Sequence, residues 1–89
     1  MSIRNDADDT PLATWLRKAT PEQRERCATL AGTSYSYLYS LAGGHRQQIS
    51  AKLAFGIEDA TRTLSAETRR ALPVVTARQL AYMHDLVGL

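Results

Sequence analysis

Apolar residues recur along this chain at helical spacing, and the runs are broken by proline, glycine and hydroxyl residues where helices start and stop. Behind Thr10-Pro11, a capping residue followed by the one helix position that welcomes proline, Leu12, Trp15, Leu16 and Ala19 follow the i, i+3, i+4, i+7 rule. This predicts a first helix with Arg17 and Lys18 on its wet side, favourably near its C-terminus. Thr20-Pro21 repeats the opening with Gln23 at capping-box spacing, and Cys27, Ala28, Leu30 and Ala31 supply a small apolar face. Gly32 then ends a second helix running from Pro21 to about Ala31. Ser34 caps a third helix that points Leu38 and Leu41 inward, and Gly43-Gly44 closes it within a few turns. After the polar loop His45-Arg46-Gln47-Gln48, Ser50 caps a fourth helix with Leu53, Ile57, Ala60 and Leu64 on one stripe and Glu58 with Arg62 as an outer pair. A weaker fifth helix is expected over Ala66 to Leu72, stopped by Pro73. Pro73-Val74-Val75 reads as a short extended segment, and Thr76 with Gln79 forms a second capping box leading into Leu80, Met83 and Val87.

The pattern predicts an all-α fold: a compact bundle of four to five short helices containing a helix-turn-helix, with a short extended segment and a C-terminal helix. Residues 1–10 are polar and aperiodic and read as a flexible acidic tail, residues 11–72 as the helix-turn-helix domain, and residues 73–89 as a C-terminal dimerisation segment. Helices 1 to 4 already hold enough apolar positions for one small core. The later Val74, Val75, Leu80, Met83, Leu86 and Val87 wrap too far round a helix to be covered by one neighbour, which points to a homodimer. The competing outcome is that this tail folds back to finish its own core.

Length and composition narrow the function classes. Eighty-nine residues hold one core, and 44% hydrophobic with 22% charged residues is the balance of an ordinary globular domain. No apolar run approaches the roughly 18 residues that cross a bilayer, and the N-terminus is acidic where a signal peptide would be basic and then apolar, so a cytoplasmic protein with no membrane partner is expected. A single cysteine, Cys27, makes neither an internal disulfide nor a zinc site, and no metal or cofactor is expected. Cys27 falls on the buried face of helix 2, His45 sits in a basic loop, and His84 stands beside Asp85 at the far end, so no triad or metal spacing is present and the reading is not an enzyme.

The net charge of +2 is unevenly placed. Residues 1–10 carry Arg4 against Asp6, Asp8 and Asp9, whereas between Arg17 and Lys52 six cations face only Glu22 and Glu25. The middle of the chain therefore suits a polyanion. Two short helices joined by a glycine turn, the second polar outside, form the arrangement that lays its second helix in the major groove of DNA. With Leu38 and Leu41 inward, Ser36, Tyr39, Ser40 and Gly43 turn outward and Tyr35 and Tyr37 flank them. Ser34, Tyr35, Ser36, Tyr39 and Ser40 are the candidate base contacts, since hydroxyls donate or accept and rings can touch thymine methyls. Arg24, Arg26, His45, Arg46, Gln47 and Lys52 are the candidate phosphate contacts, together with the backbone N–H groups at the starts of helices 2 and 3.

The run Cys27-Ala28-Thr29-Leu30-Ala31-Gly32-Thr33-Ser34 resembles the Cro/repressor (XRE-type) regulators of phage and bacteria. Ala28 matches the small residue at the helix crossing, Gly32 the turn, Ser34 the cap, Leu38 and Leu41 the buried residues of the recognition helix, and Gly44 its stop. Val75-Thr76-Ala77-Arg78-Gln79-Leu80 is similar to the closing stretch of the YdaS-like branch. Thr33, Arg24 and Ala42 depart from that pattern, standing where an aliphatic residue, a glutamine and a glutamate are usual. The resemblance implies a dimeric transcriptional regulator, from a phage or prophage, on a two-fold double-stranded operator. The alternatives are an antitoxin-type protein-interaction partner with an autoregulatory helix-turn-helix, or a small phage protein that binds another protein through its tyrosine face.

Overall fold

The computed structural model describes residues 10–43, 48–83 and 85–87, with side chains for 10–43 and 48–81. Within them five helices, α1 (Pro11–Lys18), α2 (Pro21–Ala31), α3 (Tyr35–Ala42), α4 (Ala51–Glu67) and α5 (Ala77–Met83), are joined by two short strands, β1 (Gln48–Ser50) and β2 (Asp85–Val87). Hydroxyl caps start the first four helices: Thr10, Thr20, Ser34 and Ser50 accept from Ala13, Gln23, Tyr37 and Leu53 N–H at 3.0–3.1 Å. Thr20 with Gln23 and Thr76 with Gln79 close reciprocal capping boxes, in which each glutamine accepts from the backbone N–H of its threonine. Each cap satisfies donors that have no partner inside the helix, worth about 1 kcal/mol.

One core joins these elements. Leu12, Trp15, Leu16 and Ala19 of the first helix meet Cys27 and Ala28 of α2, Leu38 and Leu41 of α3, and Ala54, Ile57, Ala60 and Leu64 of α4. The residues from 73 onward do not stand apart from it. Val75 and Leu80 are 1% and 3% exposed and, with Leu72 and Ala77, belong to the same cluster. No boundary falls after residue 72, and the side chains of Val75 and Leu80 are consumed in the chain's own core instead of facing a second copy. Val74 is half-buried; the side chains of Met83, Leu86 and Val87 lie outside the described set.

Two further expectations are corrected. The fourth helix runs unbroken to Glu67, and no separate helix covers Ala66 to Leu72. It ends where Arg69 and Arg70 adopt φ of 55° and 68°. Their N–H groups bond back to Ala66 and Ser65 O at 3.3 and 2.6 Å, which satisfies two orphan carbonyls. The C-terminal helix stops at Met83 because residues 85–87 pair in parallel with β1, Gln48 opposite Asp85 and Ser50 opposite Val87. This pairing joins segments far apart in sequence, so helical periodicity gives no sign of it.

Two hydrogen-bonded ties fix the connection onto α4. The buried Thr61 hydroxyl accepts from Val75 N–H at 2.9 Å and donates within its own helix to Ile57 O at 2.9 Å. Glu58 accepts from Ala77 N–H at 2.7 Å and from Arg62 Nη2 at 2.9 Å. The bond from Ala77 holds the Glu58 carboxyl below its ordinary range. Beside this connection lies an open groove lined by Arg62, Ser65, Ala66, Arg70, Leu72, Pro73 and Val74.

Helices α2 and α4 come into close backbone contact at Gly56. A Cβ there would lie 2.9 Å from Ala31 O, so the approach of these two helices requires a residue without a side chain on α4. Gly56→Ala should lower stability by about 1 kcal/mol or more in denaturant unfolding, since backbone collision outweighs alanine's better helix propensity. The opposite sign is expected at Arg69. The bond pair that ends α2 uses Gly32 at φ 79°, and the pair that ends α4 places an arginine in that left-handed conformation. Arg69→Gly should therefore raise stability, by roughly 0.5–1 kcal/mol, in the same assay.

Candidate nucleic-acid interface

The turn between α2 and α3 is set by Gly32 in the left-handed region and by Ser34, whose hydroxyl accepts from Tyr37 N–H at 3.1 Å. Leu38 and Leu41 are fully buried and Ala42 is 5% exposed, so α3 docks by one stripe. The opposite face carries no charge. Ser36 is exposed, Tyr39 is 63% exposed, and Tyr35 and Ser40 are half-buried. The rings of Tyr35 and Tyr39 meet edge to face, with centroids 5.9 Å apart and planes at 82°. This holds the Tyr39 ring in a restricted orientation. Tyr35 and Tyr37 each pack against the core. Of the five candidate base contacts, Ser34, Ser36 and Tyr39 are exposed and Tyr35 serves as a support; the Ser34 hydroxyl, with one lone pair taken by Tyr37 N–H, keeps its proton and a second lone pair.

The candidate phosphate contacts divide differently from the sequence reading. Arg24 is half-buried: its Nε donates to Leu16 O at 2.8 Å and its Nη1 reaches the Tyr35 hydroxyl at 3.4 Å. It therefore braces the end of α1 and the base of the tyrosine pair. Arg26 forms a two-pronged ion pair with Glu67, Nε to Oε1 at 3.1 Å and Nη2 to Oε2 at 2.5 Å. Hydrogen bonding to Arg26 holds the Glu67 carboxyl below its ordinary range, and the same bond raises the Arg26 pKa. Both arginines thus have partners within the fold. Lys52, in the first turn of α4, is exposed. His45, Arg46 and Gln47 lie outside the described residues.

The start of α2 is also less open to an anion than its position suggests. Pro21 has no N–H, Thr20 and Gln23 cap one another, and Glu22 places a carboxylate in the first turn. Cys27 is wholly buried, and burial pushes its thiol up to about 12, so thiolate is scarce at neutral pH. Among the described residues no three His, Cys, Asp or Glu side chains are grouped to hold a metal. No described helix is long and apolar enough to cross a membrane.

Sequence reasoning missed Gly56, Thr61, the Glu58 tie to Ala77 and the Arg26–Glu67 pair. A glycine inside the apolar stripe of a helix was the available signal for the first. The others join residues 14 to 41 positions apart, and no local pattern marks them. No protein-family model, curated protein or solved structure matches the chain.

The bracing role of Arg24 separates two kinds of basic residue. Arg24→Ala should lower stability by on the order of 1 kcal/mol through loss of a charged donor to Leu16 O. In any DNA-binding assay it should leave the salt dependence unchanged. Lys52→Ala, at an exposed position, should leave the melting temperature nearly unchanged and lower the salt slope by about one unit.

Proposed function

We propose that the protein is a sequence-specific DNA-binding transcriptional regulator that lays α3 in the major groove, reads bases with Ser36 and Tyr39, and acts on a two-fold operator as a pair of chains. The observation that carries the reading is the uncharged face of α3, with hydroxyls and an exposed tyrosine propped edge-on by a second ring. Such a face discriminates base edges while adding little non-specific attraction, because a neutral side chain releases no counterions. Tyr35 and Ser40 border it, and Ser34 can still donate to a phosphate or base at the helix start. Affinity falls to Lys52 and Arg46, since Arg24 and Arg26 are engaged elsewhere.

That reduced supply of free cations favours one other reading, in which the tyrosine face meets a protein, as in an antitoxin whose DNA binding only regulates its own synthesis. Selection of DNA by the purified protein from a random pool, followed by binding at several salt concentrations, tests the first reading directly. A single enriched site with a steep salt slope supports it. No enrichment, with co-purification of the product of an adjacent gene, supports the second.

Alanine at Ser36 or Tyr39 should cost about 1–3 kcal/mol on the selected site and leave binding to unrelated DNA nearly intact. Both side chains are exposed, so the fold should survive and the melting temperature serves as the control. Equal loss on both kinds of DNA would remove α3 from the groove.

A further inference from the structure

Four residues on the outer side of α4 recur at spacings of four, three and four: Phe55, Asp59, Arg62 and Ala66. All four are exposed, Phe55 by 52% in the middle of a well-packed helix. At roughly 100° per residue they fall within an arc of about 60°. That is the seam spacing of helices that pair along their length. Read backwards, the order aromatic, acid, base, small becomes small, base, acid, aromatic. A second α4 laid antiparallel, with the two-fold axis between Ala60 and Thr61, would therefore set Phe55 against Ala66 of the second copy and Asp59 against Arg62 of the second copy. Symmetry repeats both contacts.

The groove beside the end of α4 supplies the receptor for the ring. Ala66 borders it, Leu72, Pro73 and Val74 give it apolar walls, and Arg62 stands at its edge. The charges are also available. Asp59 stands 4.0 Å from Arg62 of its own chain, beyond direct hydrogen-bond reach, with 79% of its side chain exposed. Arg62 gives Nη2 to Glu58 and keeps further donors, because a guanidinium carries five N–H groups.

We propose that the protein pairs with a second copy of itself through an antiparallel α4 seam, with Phe55 of each chain seated in the groove of the other. The choice of a second copy over a foreign protein follows from the pattern being complementary to itself under inversion, in both size and charge. The two ring-in-groove contacts lie about 16 Å apart along the helix, the rise of eleven residues. Lys52, one turn before Phe55, lies about 20° outside this arc at the end of the seam, and Val75 and Leu80 are not needed for the pairing. The pairing rests on the regulator reading only in that a two-fold operator calls for two copies.

Sedimentation of the full chain without DNA at micromolar concentration should show a dimer. Phe55→Ala and Ala66→Glu, both at exposed positions, should each raise the dissociation constant about tenfold or more, with circular dichroism melts confirming the fold. Asp59→Arg sets like charges together across the seam and should give monomers; adding Arg62→Asp restores the opposite pairing and should restore the dimer. A wild-type monomer at that concentration, a dimer that survives Phe55→Ala, or a failure of the double exchange to recover pairing in a folded protein would each overturn the proposal. A dimer that selects no DNA leaves the seam standing and sinks the regulator reading, whereas a monomer that selects a site does the reverse.

Discussion

The close approach of α2 to α4 is the constraint on which the rest of the molecule depends. Backbone meets backbone where Gly56 faces Ala31, one residue before the left-handed Gly32 that begins the turn into α3. The height at which α2 rides on α4 therefore sets the height of the turn, and the turn sets where α3 presents its outer face. Arg26 and Glu67 tie the same two helices farther along, and Arg24 ties α2 to the end of α1. The turn and α3 thus hang from a rigid three-helix frame.

The placement of charge follows from that frame. A short helix with three tyrosines among eight residues has little room for cations, and the two arginines of α2, Arg24 and Arg26, are engaged within the fold. In the proposed regulator, selectivity and attraction are consequently carried by different parts of the molecule. The face of α3 is neutral, and Lys52, in the first turn of α4, is exposed. Such a division allows either part to change without rebuilding the other.

Most of the helices were legible in the sequence because their ends are local chemistry. A capping hydroxyl states a helix start, joined by proline at Thr10 and Thr20 and by a capping-box glutamine at Thr20 and Thr76, and the starts at Thr10, Thr20, Ser34, Ser50 and Thr76 stand where those patterns place them. The end of α4 was not legible, since arginines occupy left-handed positions where a glycine would have announced the stop. Apolar residues past Pro73 were legible as buried, but not as to which chain buries them, for periodicity reports a covered face and not its owner. The tyrosine face was legible because its inward partners, Leu38 and Leu41, follow helical spacing. The engagement of Arg24 and Arg26 was not, since a side chain long enough to reach phosphate is also long enough to reach a carbonyl eight residues back or a carboxylate 41 residues ahead.

The parallel pairing of residues 48–50 with residues 85–87 has a consequence for the order in which the fold can be made. The caps and turns of the first four helices join near neighbours and can form as the chain lengthens, whereas the strand pair closes a loop of 36 intervening residues and needs residue 87 to exist. During synthesis the edge of β1, immediately before the cap of α4, therefore waits longest for its partner. That interval exposes the backbone of Gln48–Ser50 to any other extended chain that arrives first.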